Sequence, residues 1–116
     1  MQRRWFLAAL ALPALPAPAR AHAILMQSTP RHAARLPPGE HTLTLRFNSR
    51  VDHARSRLTL LRPDRSAAVL PLLPGSDAVL SASATLAPGA HTLRWQVLAL
   101  DGHITRGEVP FAVTAG

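Results

Sequence analysis

Twice, fifty residues apart, the chain turns a Pro-Gly corner into an alternating stretch. Leu36-Pro37-Pro38-Gly39-Glu40-His41-Thr42-Leu43 returns as Leu86-Ala87-Pro88-Gly89-Ala90-His91-Thr92-Leu93. After the first corner Leu43, Leu45 and Phe47 fall on one face and Thr42, Thr44 and Arg46 on the other. Successive side chains of an extended backbone point to opposite faces, so this period of two predicts a half-buried strand. The second corner leads likewise into Leu93, Trp95 and Val97, with Trp95 expected as a core anchor. A sheet with one apolar face must cover it with another layer. Several elements separate the two corners, so the echo predicts one corner used twice in a two-sheet fold, not a solenoid. His41 and His91 are expected to bond nearby backbone at these equivalent corners.

The remaining segments fit that frame. Ala23 to Gln27 reads as an edge strand ended by Ser28-Thr29-Pro30, and Pro30 to Gly39 as a loop passing from one sheet to the other. Ser56 to Arg62, Ala67 to Leu73, Val79 to Leu86 and Val109 to Val113 are further strands. Arg62-Pro63-Asp64-Arg65 and Pro74-Gly75-Ser76-Asp77 supply turns between them. Pro110 has no N–H to give to a ladder and is expected at an edge or bulge. The pattern predicts an all-β sandwich of about seven strands.

The first residues have the three-part pattern of an export signal. Arg3 and Arg4 precede an almost wholly apolar Trp5 to Leu15, and small residues follow. The apolar run is shorter than the roughly 20 residues that span a bilayer, so residues 1–21 are expected to be removed and the mature protein to be soluble. Arg3-Arg4-Trp5-Phe6-Leu7 resembles a twin-arginine motif, and a general secretory signal fits equally. Two small-x-small sites overlap. Ala19-Arg20-Ala21 would release a chain beginning at His22, and Ala21-His22-Ala23 one beginning at Ile24. In the first case His22 offers a free amine and its own imidazole to the same ion.

Removing 21 residues leaves 116 − 21 = 95, close to a small β-sandwich and enough for one domain over residues 22–116. The signal takes three arginines, lowering the net charge from +7 to 7 − 3 = +4. The remaining basic residues are scattered arginines without interleaved aromatics, which predicts a solvated surface and no nucleic-acid partner. The absence of cysteine excludes thiolate metal sites and disulfides, so the core must hold the fold. Met26 is the one methionine beyond the signal, too few for a soft Cu(I) site.

Asp101-Gly102-His103 lies between two apolar runs as a tight strand connection. A carboxylate and an imidazole two residues apart lie on the same side of an extended backbone, where they could grip a metal. Asp-Gly is also a common turn dipeptide, and on these three residues alone the turn reading comes first. His32 and His53 are expected to be exposed, offering weak metal contacts at most.

Taken together, several features resemble the CopC family of periplasmic copper-binding proteins. They are the signal ending at a histidine, Ser28-Thr29-Pro30, Phe47-Asn48, Leu86-x-Pro88-Gly89, Trp95, Asp101-Gly102-His103 and the Val109-x-Phe111-x-Val113 strand. The resemblance implies a Greek-key β-sandwich, immunoglobulin-like or cupredoxin-like, that binds Cu(II). The implied ligands are the His22 amine and imidazole, the Asp101 carboxylate and the His103 imidazole. Three nitrogens and one oxygen suit the tetragonal preference of Cu(II) better than tetrahedral zinc. The amine, with an ordinary pKa of about 7.7 to 8.0, must lose its proton, so acid should weaken binding. The implied role is a monomeric periplasmic carrier or buffer without enzymatic activity, with an inner-membrane importer of the CopD type as possible partner. Many members carry a glutamate that supports a ligand histidine where this chain has Ser49, with Asp52 nearby but out of register. Many have a third-position histidine where this chain has Ile24, and the methionine-rich loop of Cu(I)-binding members is missing. Two rival readings are a copper-dependent oxidative enzyme with an amino-terminal histidine brace, and a metal-free sandwich that binds an envelope protein.

Overall fold

A computed structural model of the chain describes residues 23–115; residues 1–21, read as an export signal, and His22 lie outside these residues. Eight strands follow in order: β1 Leu25–Thr29, β2 Ala34–Leu36, β3 Gly39–Phe47, β4 Arg57–Leu61, β5 Ala67–Leu70, β6 Val79–Leu86, β7 Gly89–Leu98 and β8 Ile104–Val113. They form two sheets, one ordered β1-β3-β6 and the other β2-β8-β7-β4-β5. This is the expected Greek-key β-sandwich, with one strand more than about seven. The addition is β2, three residues inside the proline-rich stretch read as a loop. That stretch does cross to the other sheet, where β2 pairs in parallel with β8, and it returns to the first sheet as β3.

The alternation in sequence becomes the burial pattern. Leu43, Leu45 and Phe47 of β3 meet Leu58 and Leu60 of β4, Leu80 and Leu86 of β6, and Leu93, Trp95 and Val97 of β7 in one core. Trp95 is a core anchor as predicted, its ring edge-on to Phe47 with centroids 5.2 Å apart. The indole lies over Gly107, its partner across β7 and β8: a Cβ on Gly107 would come within 2.4 Å of the ring. Trp95 Nε1 is buried with no acceptor among the described residues.

The two Pro-Gly corners do the same work in different sheets. Gly39 and Gly89 both have positive φ, +122° and +133°, and open the strands that pair most extensively in their sheets, β3 and β7. Only glycine enters that region without strain. The histidines that follow bond backbone, His41 Nε2 to the Pro37 carbonyl at 2.7 Å and His91 Nδ1 to the Gly89 carbonyl at 3.2 Å. His91 is buried and stacks on Phe111.

Some boundaries differ from expectation. β5 stops at Leu70 because Pro71 cannot continue the ladder. β8 starts at Ile104, earlier than Val109, pairing with β7 residue by residue from Leu98↔Ile104 onward; Gly107 and the charged residues around it hid this in the sequence. Pro110 is neither at a bulge nor on an outermost strand. It sits one residue before β2 begins to cover β8, and its carbonyl accepts from the Ala33 amide at 2.6 Å. His53 is not an exposed turn residue. It opens a short 3-10 turn, His53–Arg55, and its Nε2 bonds the Val79 carbonyl at 2.7 Å, whereas His32 is exposed.

Candidate metal centre

The turn joining β7 to β8 carries Asp101 and His103. It is closed at its base by Ala99 N–H to the His103 carbonyl, 2.8 Å, and by Gly102 N–H to the Ala99 carbonyl, 2.9 Å. Gly102 has φ +92°, the left-handed backbone that lets the chain reverse here. The stretch is the turn that these residues first suggested, and within it the two side chains converge. Asp101 Oδ1 accepts from the His103 amide at 3.2 Å, and Oδ2 faces His103 Nδ1 at 2.5 Å.

Burial raises the Asp101 carboxyl pKa. The hydrogen bonds from the His103 amide and ring, with the attraction of that ring, outweigh it and hold the carboxyl below the usual aspartate value. The group stays ionised and acceptor-only in mild acid, the state a metal ligand requires. Among the described residues no cluster of three or more histidine, aspartate or glutamate side chains forms. The turn thus supplies two metal-ligating groups and no complete site.

The segment from Asn48 to Ser56 ties this turn to the start of the described chain. Asn48 grips Ile24 from both sides: the Ile24 amide donates to Asn48 Oδ1 at 2.7 Å, and the Asn48 amide donates to the Ile24 carbonyl at 2.9 Å. Three residues on, Val51 bridges to Ala99 at the base of the turn. Asp52 N–H donates to the Leu98 carbonyl at 2.9 Å, and Leu98 N–H donates to the buried Ser56 hydroxyl at 3.1 Å. Residue 24 and the Asp101–His103 turn therefore share one rim of the sandwich. Ala23, immediately before, is 1% exposed and belongs to the core.

Asp52, the carboxylate near Ser49, is engaged locally. Its Oδ1 caps the 3-10 turn, accepting from the Ala54 and Arg55 amides at 3.0 and 3.3 Å. Asn48 and Ser56 were not singled out as site residues in the sequence. The signal at Asn48 was its place in the Phe47-Asn48 motif, where an alternating strand ends.

The family model of the CopC domain matches residues 25–114. The chain belongs to the CopC domain family. The sequence resemblance therefore holds, and with it copper binding as the property of the family. The crystal structure of CopC from Methylosinus trichosporium OB3b aligns with a TM-score of 0.74 at 23% identity, over 81% of this chain and 95% of that one. PcoC, a methionine-rich copper resistance protein from Escherichia coli, aligns with a TM-score of 0.66 at 20% identity, over 81% of this chain and 100% of that one. At these identities the two structures speak for the fold. No curated protein sequence is similar enough to match. Among the described residues of this CopC domain, no helix is long and apolar enough to cross a membrane.

Proposed function

We propose that this CopC domain is a periplasmic carrier or buffer for one Cu(II) ion in copper homeostasis or resistance, with no enzymatic activity. The observation that carries the reading is the convergence of Asp101 and His103 on the rim where the start of the described chain is anchored. His22, one residue beyond buried Ala23, would complete the site with its amine and imidazole. Burial of Ala23 supports removal of residues 1–21, because a chain beginning at Ile24 would lose a core residue. Met26 is exposed and has no second methionine beyond the signal to work with, which favours Cu(II) over Cu(I). Phe47, Trp95 and Phe111, the Phe and Trp side chains among the described residues, are all buried, so none presents a stacking face for a sugar substrate. Transfer to an inner-membrane CopD-type importer is the partnership that fits such a carrier.

Native mass spectrometry of the exported, processed protein with one equivalent of Cu(II) tests this reading. The expected species begins at His22 and keeps one copper, and His103→Ala loses it. A processed chain beginning at Ile24, or one whose copper is indifferent to His103→Ala, would overturn the reading.

A further inference from the structure

The outer face of the five-stranded sheet carries a concavity of about 530 Å³, lined across β4, β7 and β8. Strand register puts its polar side chains in two rows. Arg57, Gln96 and Arg106 form one, and Thr59, Arg94 and Glu108 the other. All six point away from the core, since they alternate with Leu58, Trp95 and Gly107.

In the second row the charges are matched: Arg94 donates through Nε and one terminal nitrogen to Glu108 Oε2, at 3.0 and 2.9 Å. The first row is built from donors. Arg106 Nε donates to Gln96 Oε1 at 2.9 Å, which engages the amide oxygen within the row and leaves the amide nitrogen as a donor. The terminal nitrogens of Arg106 remain, and Arg57 has no hydrogen-bond or ion-pair partner among the described residues. Three arginines against one glutamate leave the concavity at 3 − 1 = +2.

From this face we infer a docking groove for an acidic, extended segment of a partner protein. Arg57 and Arg106 are rooted two strand spacings apart, about 10 Å, with Gln96 between them, so the donors are spread along a line across three strands. An extended segment presents every second side chain on one face, about 7 Å apart, so two of its carboxylates can each meet a guanidinium fork. Glu108 is already paired with Arg94, so it leaves the charge of the first row unopposed. Arg106 is three residues along β8 from His103, roughly 10 Å of strand, so a docked segment would hold its owner beside the rim that carries Asp101 and His103. The groove is made of other residues than the proposed copper ligands and does not depend on that reading.

The test uses the metal-free mature protein and a labelled ten-residue peptide of alternating glutamate and serine, followed by fluorescence anisotropy at low ionic strength. The glutamate peptide is expected to bind and its glutamine counterpart not to. Arg57→Gln with Arg106→Gln should weaken binding at least about tenfold, the scale of losing charge-assisted contacts. Arg31→Gln with Arg46→Gln removes the same charge away from this face, Arg46 lying on β3 of the other sheet, and should leave binding unchanged. An unaltered near-ultraviolet Trp95 spectrum in both variants keeps the comparison on folded protein. Equal weakening in the two variants would overturn the groove as a site. So would anionic phosphatidylglycerol vesicles binding through Arg57 and Arg106 while the peptide does not, which would reassign the face to a membrane surface.

Discussion

At single residues, the tightest constraints lie behind the turn. Gly107 leaves room for the Trp95 indole, so Gly107→Ala drives a methyl into an aromatic ring that the core holds in place. We expect about 1 to 3 kcal/mol of destabilisation from overpacking, read as a lowered urea midpoint; an unchanged midpoint would mean that the indole moves freely. Ser56→Ala leaves the Leu98 amide without its side-chain acceptor at a part-buried site and should cost about 1 to 3 kcal/mol. Asp101 titrates below an ordinary aspartate because its bonds to His103 outweigh its burial. Since its folded value lies below its unfolded one, the carboxylate contributes stability above the ordinary aspartate range, and the contribution is lost as pH falls through the lowered value. Metal-free Asp101→Asn should therefore differ from the parent near neutrality and converge with it in strong acid, by thermal melts across pH. A difference that persisted there would contradict this.

Between elements, the site depends on the segment following β3 more than on any strand. Asn48 holds Ile24 by two hydrogen bonds, Val51 meets Ala99, and Ser56 and Asp52 take both backbone groups of Leu98. Asn48→Ala is expected to free the Ile24 amide, seen as faster hydrogen exchange at that position, while Leu43 and Leu45 in the middle of β3 stay protected. If His22 completes the copper site, the same variant should weaken Cu(II) retention with little change in melting temperature. Retention unchanged despite faster Ile24 exchange would show that anchoring residue 24 does not position the amine.

For the whole molecule, the proposed site would link maturation to metal loading. A precursor still joined through residue 21 has an amide where the proposed site needs an amine, so it should hold Cu(II) more weakly than the processed chain. Parallel copper titrations of precursor and mature protein against one competing chelator would measure this, and equal affinity would remove His22 nitrogen from the ligand set. Acidification should release copper from the mature protein through protonation of the amine and imidazoles before Asp101 is neutralised, because that carboxyl is held low.

The fold was legible because its code is local. Leu43, Leu45 and Phe47 alternate within one strand, the Pro-Gly corners announce strand starts, and Trp95 lies on an apolar face, all readable from consecutive residues. Asp101 and His103 were legible for the same reason, being two residues apart on one turn. What was hidden depends on partners distant in sequence. Asn48 reaches Ile24 across 24 residues, and Ser56 reaches Leu98 across 42. The capping role of Asp52, whose Oδ1 accepts from the Ala54 and Arg55 amides, was likewise not legible. The row of Arg57, Gln96 and Arg106 exists only because register aligns three strands, and register is set by packing of the two sheets, not by any one stretch of chain. Sequence alone determined which residues face the core; tertiary structure decided which exposed residues stand together.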